Sequence, residues 1–303
     1  KGDIYEITEL GKTRLKESLQ GKVSYLRSNT ETNPKKFDKG NPLIDITGTA
    51  NIVLCEMSPY QYKTYINALK TDLGQYSKYD MSTAIKMIES EENILEKEVG
   101  VSKASSLYKN SSDASTMTYP EYKYGKEGFL NTFTKSGSKY VLNDKKILTT
   151  DLEKYSSKLY NLLENINRNK TGNVFIYSNY VNYGGTSLLR QLFLNNGFFE
   201  YSTNMSEDRY YKSFIVFDES TSLTNRERFK RIFNNVDNKE GKYIRIIIGS
   251  PILSEGITLK AVRQVHILEP YWNMSKINQI IGRAVRNYSH HSLEPQERTV
   301  EIY

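Results

Sequence analysis

The sequence predicts an α/β protein whose parallel sheet is covered by helices on both faces. From Asp151 onward, short apolar runs alternate with segments that have helical spacing. Residues 174–177 and 214–217 are apolar at consecutive positions, which is typical of strands buried on both faces. Strands that alternate with helices favour parallel βαβ units over antiparallel hairpins.

The predicted elements of this α/β part follow one another without an internal repeat. Helices are predicted over residues 151–169, 186–194, 225–233 and 275–283. Strands are predicted over residues 174–177, 214–217, 243–248, 264–268 and 299–302. Gly197 is expected to end the second helix, because glycine readily takes the left-handed conformation found there.

The first 70 residues are predicted to lead into the α/β part. Residues 9–20 carry leucines near helical spacing and predict a short amphipathic helix. Residues 29–42 are rich in Asn, Thr, Lys, Gly and Pro and predict a loop. Residues 52–55 predict a short strand. A helix is expected to open at Ser58-Pro59, with the serine at the N-cap and the proline in the first turn.

Residues 71–150 differ from the rest in composition, since Ser, Lys, Asn, Tyr and Thr dominate them. A helix is predicted over residues 81–99, and a long polar insertion follows. A loop of that length within a compact domain is usually functional or partly disordered. The chain is therefore predicted to consist of a lead-in over residues 1–70, a polar, partly helical insertion over 71–150 and an α/β lobe over 151–303.

The composition excludes several classes of protein. The chain has 303 residues, enough to bury a sizeable core, and 38% of them are hydrophobic, which argues against wholesale disorder. No apolar run approaches 18 residues, so we expect no membrane partner. Cys55 is the single cysteine, which excludes an internal disulfide and a cysteine-built zinc site. We expect Cys55 to be a small core residue.

The net charge of +7 is unevenly distributed along the chain. Residues 226–303 contain 13 Lys and Arg against 8 Asp and Glu, so the last quarter holds most of the excess. A basic surface of this kind favours a polyanionic partner such as nucleic acid. Ordinary solvated surface charge explains the composition equally well.

Three short motifs resemble ligand sites but lack the residues that the chemistry needs. Gly11-Lys12-Thr13 ends like a phosphate loop, but Glu6 stands where such a loop needs a glycine, and a carboxylate there would repel phosphate. Residues 214–219 resemble a strand that ends in a metal-binding carboxylate pair, yet no phosphate loop accompanies them. His290-His291 suggests a metal site, but adjacent side chains rarely point at one ion. We predict no metal site.

The arrangement that carries chemistry lies near the end of the chain. On a helix, Gln279, Arg283 and Arg286 lie on one face, because they are spaced i,i+4 and i,i+3. Guanidinium groups stay charged and bind phosphate oxygens in a bidentate manner. Gly282 within this helix indicates close backbone packing or a bend. The alternative is a surface helix with two salt-bridged arginines.

The segment before this helix strengthens the functional interpretation. Residues 246–248 form a buried strand, and Gly249-Ser250 follows at its carboxyl end, where open α/β sheets bind ligands. A small hydroxyl beside backbone amides suits a phosphate contact. Gly256 in the next turn indicates that the backbone passes close to another group.

These motifs together resemble the second, C-terminal RecA-like lobe of superfamily 2 helicases. Residues 249–259 resemble motif V of that superfamily, residues 279–286 resemble motif VI, and residues 174–179 resemble motif IV. The runs over residues 21–27, 55–61, 266–273, 279–286 and 289–290 are similar to a group in large cytoplasmic DNA viruses. That group contains poxvirus nucleoside triphosphate phosphohydrolase I and the small subunit of the early transcription factor, and an asfarvirus or giant-virus relative fits equally well.

The resemblance implies a role for each matching position. Arg286 would be the arginine finger on the γ-phosphate of ATP, and Arg283 would be a second phosphate contact. Gln279 would help to orient the attacking water or to couple the lobes. The implied nucleotide-binding residues are Glu255, Gly256 and Gly282. The implied nucleic-acid-binding residues are Ser178, Asn179, Gly249 and Ser250. Many relatives have an aspartate that contacts the ribose where Thr258 stands here, so that contact is not expected.

The resemblance also implies cofactors, partners and a location. ATP and Mg²⁺ would be bound mainly by a first RecA-like lobe, whose phosphate loop and carboxylate box this sequence lacks. The isolated chain is therefore expected to be inactive. The expected partners are DNA, with RNA as the alternative, the first lobe of the same protein and viral RNA polymerase. The expected location is the host cytoplasm, at the viral factory, with the virion as a second site.

Three functions remain open from the sequence. The first is the C-terminal lobe of a nucleic-acid-dependent ATPase, helicase or translocase that serves viral transcription. The second is a non-catalytic adaptor that binds nucleic acid or polymerase and uses the arginines structurally. The third is a complete enzyme, which rests only on the three incomplete motifs.

Overall fold

The computed structural model describes residues 8–9, 11–14, 32–42, 51–74, 78, 80, 82–83, 86–87, 108–137, 139–218, 221–251, 257–269 and 274–303. Its α-helices are α1 Pro59–Leu73, α2 Lys109–Thr116, α3 Gly125–Thr132, α4 Leu152–Tyr155, α5 Ser157–Arg168, α6 Thr186–Asn195, α7 Leu223–Phe233 and α8 Met274–Ile281. Its strands are β1 Lys35–Asp38, β2 Asn41–Pro42, β3 Asn51–Ile52, β4 Thr118–Tyr119, β5 Lys123–Tyr124, β6 Phe133–Ser136, β7 Lys139–Leu142, β8 Asn173–Tyr177, β9 Phe199–Glu200, β10 Ser213–Phe217, β11 Ile246–Gly249, β12 Val262–Ile267 and β13 Thr299–Ile302.

Seven of these strands form one parallel sheet in the order β1-β13-β12-β8-β11-β10-β9. The central pair is in register, with Ile246 opposite Val174 and Gly249 opposite Tyr177. Three short antiparallel pairs, β2–β3, β4–β5 and β6–β7, lie outside the sheet. The predicted α/β class and its parallel sheet are confirmed.

Each face of the sheet packs against its own hydrophobic core. Val174 and Ile176 of β8 pack with α5 and α6, whereas Phe175 and Tyr177 of the same strand pack with α7 and α8. All four side chains are at most 2% exposed. Alternate residues of a strand point to opposite faces, so a strand buried on both sides must be apolar at every position.

Residues 32–42 contain a strand that the sequence interpretation missed. We predicted a loop over 29–42, but β1 pairs in parallel with β13, with Lys35 opposite Thr299 and Asp38 opposite Ile302. Every residue of β1 is exposed, because it forms one edge of the sheet. An exposed edge strand has no apolar pattern, and tertiary pairing alone creates it.

The described part of the predicted insertion contributes apolar side chains to the core on the α5–α6 face. Met117, Phe129, Phe133 and Leu148 are at most 2% exposed and belong to the cluster that contains Val174. Residues 108–148 therefore pack as part of the body that carries the sheet. The division of the chain into three parts stays a prediction. The predicted helix over 81–99 falls almost wholly outside the described residues.

Several predicted elements differ from the structure at their ends. The helix predicted over 151–169 is two helices, because the Ser156 hydroxyl caps α5 at Leu159 N (3.1 Å) and lies 2.6 Å from Thr116 O. Strand β11 begins three residues later than predicted, and β3 ends at Ile52. The predicted Ser58 cap of α1 is confirmed by its bond from Gln61 N (3.0 Å). In the part of the chain that the structure describes, no helix is long and apolar enough to cross a bilayer.

The shared core predicts the effect of a cavity in residues 108–148. Leu148→Ala removes a fully buried side chain, and we expect it to lower the free energy of unfolding by about 2–5 kcal/mol. Leu130→Ala is the control, since Leu130 is 44% exposed, and it should cost less than about 0.5 kcal/mol. Urea unfolding followed by circular dichroism measures both. If Leu148→Ala matches the control, residues 108–148 do not share the core of the sheet.

Candidate functional site

The carboxyl ends of the central strands bring the predicted nucleic-acid-binding residues together. Gly249, the last residue of β11, pairs with Tyr177 on one side and Phe217 on the other. Its carbonyl accepts a hydrogen bond from the amide of Ser178, at 3.0 Å. Ser178 and Gly249 therefore lie side by side, with Asn179 and Ser250 following them, as parallel strands require.

Ser250 is directed into the protein in this conformation. Its side chain is fully buried, and its hydroxyl donates to the carbonyl of Phe217, at 3.0 Å. Its amide also donates to that carbonyl, at 3.3 Å. The predicted contact of Ser250 with a nucleic-acid backbone stays a prediction, and the hydroxyl observed here ties β11 to β10.

Glu269, which the sequence interpretation left without a role, fixes the loop after β8. It lies just beyond β12 and is 7% exposed. Its carboxylate accepts hydrogen bonds from the Ser178 hydroxyl (3.2 Å) and from the amide of Asn179 (2.8 Å). Burial raises the pKa of Glu269, although these bonds and the charge of Lys158 oppose the rise. The sequence contained one signal of this role, namely a polar residue directly after an apolar strand.

Two lysines supply positive charge around this loop. The Lys276 ammonium of α8 donates to the side-chain oxygen of Asn179, at 2.9 Å, and the Tyr177 hydroxyl donates to the same oxygen, at 3.1 Å. Lys158 of α5 is desolvated, which lowers its pKa, while the charge of Glu269 acts in the opposite direction. The side-chain oxygen of Asn179 is thus held by cationic and phenolic donors, and neither lysine was singled out from the sequence.

The predicted arginine face is not the face of a single helix. Helix α8 ends at Ile281, two residues before the predicted end. Beyond it the amide of Arg283 donates to the carbonyl of Ile280, at 3.0 Å, which is a tighter turn than an α-helix makes. Gln279 is exposed on the helix, whereas Arg283 and Arg286 lie on the turns that follow. Gly282, which was predicted to lie within the helix, begins these turns.

Arg286 is tied to the segment that resembles motif V. Its Nη1 donates to the hydroxyl of Thr258, at 2.7 Å, and its Nε donates to the carbonyl of Gly282, also at 2.7 Å. The side chain of Arg286 is nevertheless exposed. Thr258, which stands where the resemblance would place an aspartate, therefore contacts the arginine.

Further bonds join the two motif segments into one unit. The amide of Leu259 donates to the carbonyl of Arg283, at 2.8 Å. Asn234, at the end of α7, donates to the carbonyl of Thr258 (2.8 Å) and accepts from the amide of Lys260 (2.8 Å). A displacement of Thr258 thus moves both the arginine turn and the end of α7. The predicted nucleotide-binding residues Glu255 and Gly256 lie outside the described residues.

His290 anchors the arginine turn to the sheet. It is 1% exposed, its Nε2 lies 2.6 Å from the carbonyl of Val262, and its Nδ1 lies 2.8 Å from the Ser289 hydroxyl. Burial lowers the pKa of His290 to about 4. Among the described residues no group of three or more His, Cys, Asp and Glu side chains could hold a metal ion. The adjacent histidines thus have one buried and one exposed member.

The remaining sequence motifs have structural surroundings. Lys12 is exposed and pairs with Glu9 at 2.7 Å within a helical turn. Asp218 follows β10 and lies 3.8 Å from the Arg190 guanidinium. Cys55, expected in the core, is only partly buried and lines a cavity of about 770 Å³. Burial raises the pKa of the Cys55 thiol, which makes it a weaker nucleophile.

Comparison with known proteins agrees with this arrangement. Residues 155–288 match the family model described as the helicase conserved C-terminal domain. Across its whole length the chain is 29% identical to the protein named "Putative ATP-dependent RNA helicase R563" of Acanthamoeba polyphaga mimivirus, of which it covers 45%. It is 26% identical over 98% of its length to the early transcription factor 70 kDa subunit of fowlpox virus, covering 42% of that protein. It is 28% identical over 97% of its length to the termination factor NPH-I homolog of African swine fever virus, covering 43%.

The family match agrees with the parallel α/β sheet and with the turn that carries the arginines. Residues 155–288 are similar to the helicase conserved C-terminal domain, and the sheet is the parallel α/β sheet that the sequence predicted. The three relatives are named as a putative RNA helicase, an early transcription factor subunit and a termination factor homolog, and all three come from large DNA viruses, as the resemblance indicated. The chain spans less than half the length of each of these three relatives.

The buried His290 predicts a loss of stability in acid. In the unfolded chain histidine has a pKa near 6.5, so between about pH 6.5 and pH 4 the unfolded state binds a proton that the folded state excludes. The free energy of unfolding should therefore fall as the pH falls through this window, by up to about 3 kcal/mol from His290. His266, whose pKa burial lowers to about 3, adds to the same trend.

Substitution separates the contribution of His290 from that of other groups. We expect His290→Asn to flatten the pH dependence of the unfolding free energy between pH 6.5 and pH 4, measured by urea denaturation. The adjacent His291 is exposed, so His291→Asn should leave the slope unchanged. Equal slopes in the two variants would show that His290 is not held neutral in the folded state.

Proposed function

We propose that this chain is the second lobe of a nucleic-acid-dependent ATPase, acting as a helicase or translocase in viral transcription. In this proposal ATP is bound between the chain and a first RecA-like lobe of the same protein. The observation that carries the proposal is the turn after α8, which presents the exposed Arg286 guanidinium on a rigid support. Arg283 and Gln279 lie on the same short segment.

The contacts of Arg286 suit a guanidinium that changes partners. Thr258 and Gly282 offer it neutral oxygen acceptors. A γ-phosphate group is charged and can accept two parallel hydrogen bonds from a guanidinium, which adds an attraction between opposite charges that the neutral acceptors lack. We infer that Arg286 leaves the Thr258 hydroxyl when a triphosphate is placed before it. The guanidinium then stabilises the charge that develops during phosphoryl transfer.

The hydrogen bonds around Thr258 support coupling between the proposed ATP-binding residues and the proposed nucleic-acid-binding residues. The segment of residues 258–260 is bonded to the arginine turn. Ser250, which follows β11, lies at the end of the sheet that also holds Ser178, Asn179 and Gly249. In the proposal, closure of the lobes around ATP shifts this end of the sheet along the nucleic-acid backbone, and hydrolysis reverses the shift.

The proposal assigns Mg²⁺ to the first lobe. Magnesium is held by oxygen ligands, chiefly carboxylates together with substrate phosphates. The described residues of this chain offer no group of three or more suitable side chains. In the proposal, Mg²⁺ would therefore be held by the first lobe together with the phosphates of ATP.

The partners and location are proposed from the relatives. One relative is named as an RNA helicase, and others are named as transcription factors of DNA viruses. We propose DNA as the nucleic acid, with RNA as the alternative, and viral RNA polymerase as a further partner. The host cytoplasm, with the virion as a second site, is the proposed location, because the resemblance is to viruses that replicate there.

Arg286→Ala tests the proposed catalytic role. In the chain joined to the first lobe that the proposal requires, we expect this substitution to reduce nucleic-acid-stimulated ATP hydrolysis by roughly 10³-fold, since an arginine finger contributes that much to phosphoryl transfer. Nucleic-acid binding and the unfolding midpoint should stay unchanged. Arg231→Ala, an exposed arginine of α7, is the matched control and should hydrolyse ATP at the wild-type rate.

The outcome also separates the adaptor from the ATPase. A variant that retains wild-type turnover would assign Arg286 a structural role through Thr258, whereas a two-lobed wild-type protein without stimulated hydrolysis would favour the adaptor. Comparing stimulation by single-stranded DNA and RNA of equal length in the same assay identifies the preferred nucleic acid.

The chain on its own should hydrolyse ATP no faster than the buffer. Gly11-Lys12-Thr13 does not complete a phosphate loop, since Glu6 stands where such a loop needs a glycine. Phosphate release at about 1 mM ATP, the upper end of the usual range of KM values, measures this with and without single-stranded DNA. Turnover comparable to that of a two-lobed protein would mean that the chain is a complete enzyme.

A further inference from the structure

A stack of aromatic rings and lysines lies where α1 meets the turn after β4. It consists of Tyr60, Tyr122, Lys63 and Lys154, and we call it the tyrosine–lysine stack. The rings of Tyr60 and Tyr122 are nearly parallel, with centroids 4.5 Å apart and an angle of 16° between their planes. Tyr122 is 42% exposed, so part of its ring is accessible to a ligand or solvent.

Both ends of the stack carry an ammonium group. The Lys63 nitrogen lies over the Tyr122 ring, 4.6 Å from its centroid. Because Tyr60 covers one face of this ring, Lys63 lies on the other. The Lys154 nitrogen lies 4.9 Å from the centroids of both Tyr60 and Tyr155. Two positive charges therefore flank two stacked rings.

These charges are not neutralised by nearby carboxylates. Among the described residues, no Asp or Glu oxygen lies within 4.0 Å of the Lys63 or Lys154 nitrogen. Glu121, next to Tyr122 in sequence, lies 3.3 Å from Lys123 instead. Glu153 is exposed beside Lys154. The surface thus keeps positive charge for an anionic ligand.

The backbone is held in an unfavourable conformation to present Tyr122. Glu121 and Tyr122 both have positive φ angles, 61° and 56°, which side chains with a Cβ rarely adopt. The Tyr60 hydroxyl fixes this turn, because it accepts from the amide of Tyr122 and donates to the carbonyl of Tyr119, both at 2.9 Å. Strain of this kind persists where the surrounding structure enforces it, and it is frequent at binding sites.

We propose that the tyrosine–lysine stack binds a single strand of nucleic acid outside the site that contains motifs IV to VI. A base stacks on the outer face of Tyr122, and the flexible Lys63 side chain moves to an adjoining phosphate. Lys154 contacts a second phosphate. Single-strand binding combines aromatic platforms with cationic side chains in this way. The inference rests on the proposed function for the kind of partner, and on the stack for the place.

Binding of a fluorescein-labelled oligo(dT) of about 20 nucleotides, longer than a typical single-strand site, tests the proposal by fluorescence anisotropy with the whole chain. Tyr122→Ala should raise Kd at least about fivefold, since removal of a stacking aromatic ring typically has that effect. Tyr122→Phe keeps the ring and should bind like the wild type. Tyr62→Ala is the control, because Tyr62 is a tyrosine of the same helix, 57% exposed, that lies outside the stack.

The lysines are tested through the salt dependence of binding. This test leaves the turn that contains Glu121 and Tyr122 unchanged. The Lys63→Ala/Lys154→Ala double variant should reduce the slope of log Kd against log salt concentration by about 1.4, or about 0.7 for each phosphate that the protein no longer neutralises. Thermal unfolding midpoints establish that each variant is folded.

The possible results separate this inference from the proposed function. Wild-type binding by both Tyr122→Ala and the double lysine variant overturns the inference and leaves the proposed function intact. Weakened binding by these variants, together with no stimulated ATP hydrolysis by the two-lobed wild-type protein, supports the stack and contradicts the ATPase. If the wild-type chain binds neither oligo(dT) nor oligo(U), the proposed base stacking at this surface is wrong. It is also wrong if the chain binds polyglutamate, which has no bases, as tightly as oligo(dT) and Tyr122→Ala weakens that binding equally.

Discussion

Burial of the parallel sheet on both faces is the constraint on which the rest of the structure depends. Strands β8, β10 and β11 present apolar side chains to two separate cores, so none of their interior positions is available for chemistry. Polar residues can follow only at the strand ends. All strands of the sheet run in one direction, so the residues that follow them lie together at the carboxyl end of the sheet. These residues are Ser178, Asn179, Ser250 and Glu269. The candidate site is a consequence of how the sheet is packed.

A buried polar network gives that end of the sheet a defined shape. An unpaired carboxylate in the interior would lower the stability of the fold. Glu269 is paired, because it accepts hydrogen bonds from Ser178 and Asn179. The charge of Lys158 further favours its ionised form. A second network, formed by residues 258–259 and 283–286, joins the Thr258 segment to Arg286. The first network fixes the loop after β8, and the second connects the arginine turn to the segment after β11.

The arginine turn shows why helix periodicity was an incomplete guide. The spacing of Gln279, Arg283 and Arg286 fits one helical face, and the amphipathic pattern of α8 supports a helix up to Ile281. The helix ends there because the backbone of Arg283 bonds to Ile280 and Leu259, and the chain then turns toward β12. The same residue types thus remain close in space, but a turn rather than a helix positions them.

The sequence by itself determined the α/β class, the order of the central strands and helices, the Ser58 cap and the resemblance of residues 155–288 to the helicase C-terminal domain. These properties follow from local patterns, because apolar runs and capping residues act within a few positions. Tertiary structure alone decided that exposed β1 joins the sheet, that residues 108–148 share its core, and that Arg286 contacts Thr258. It also placed Tyr60 against Tyr122. These contacts join residues far apart in the chain, and their partners are chosen by packing and charge in three dimensions, which no local pattern records.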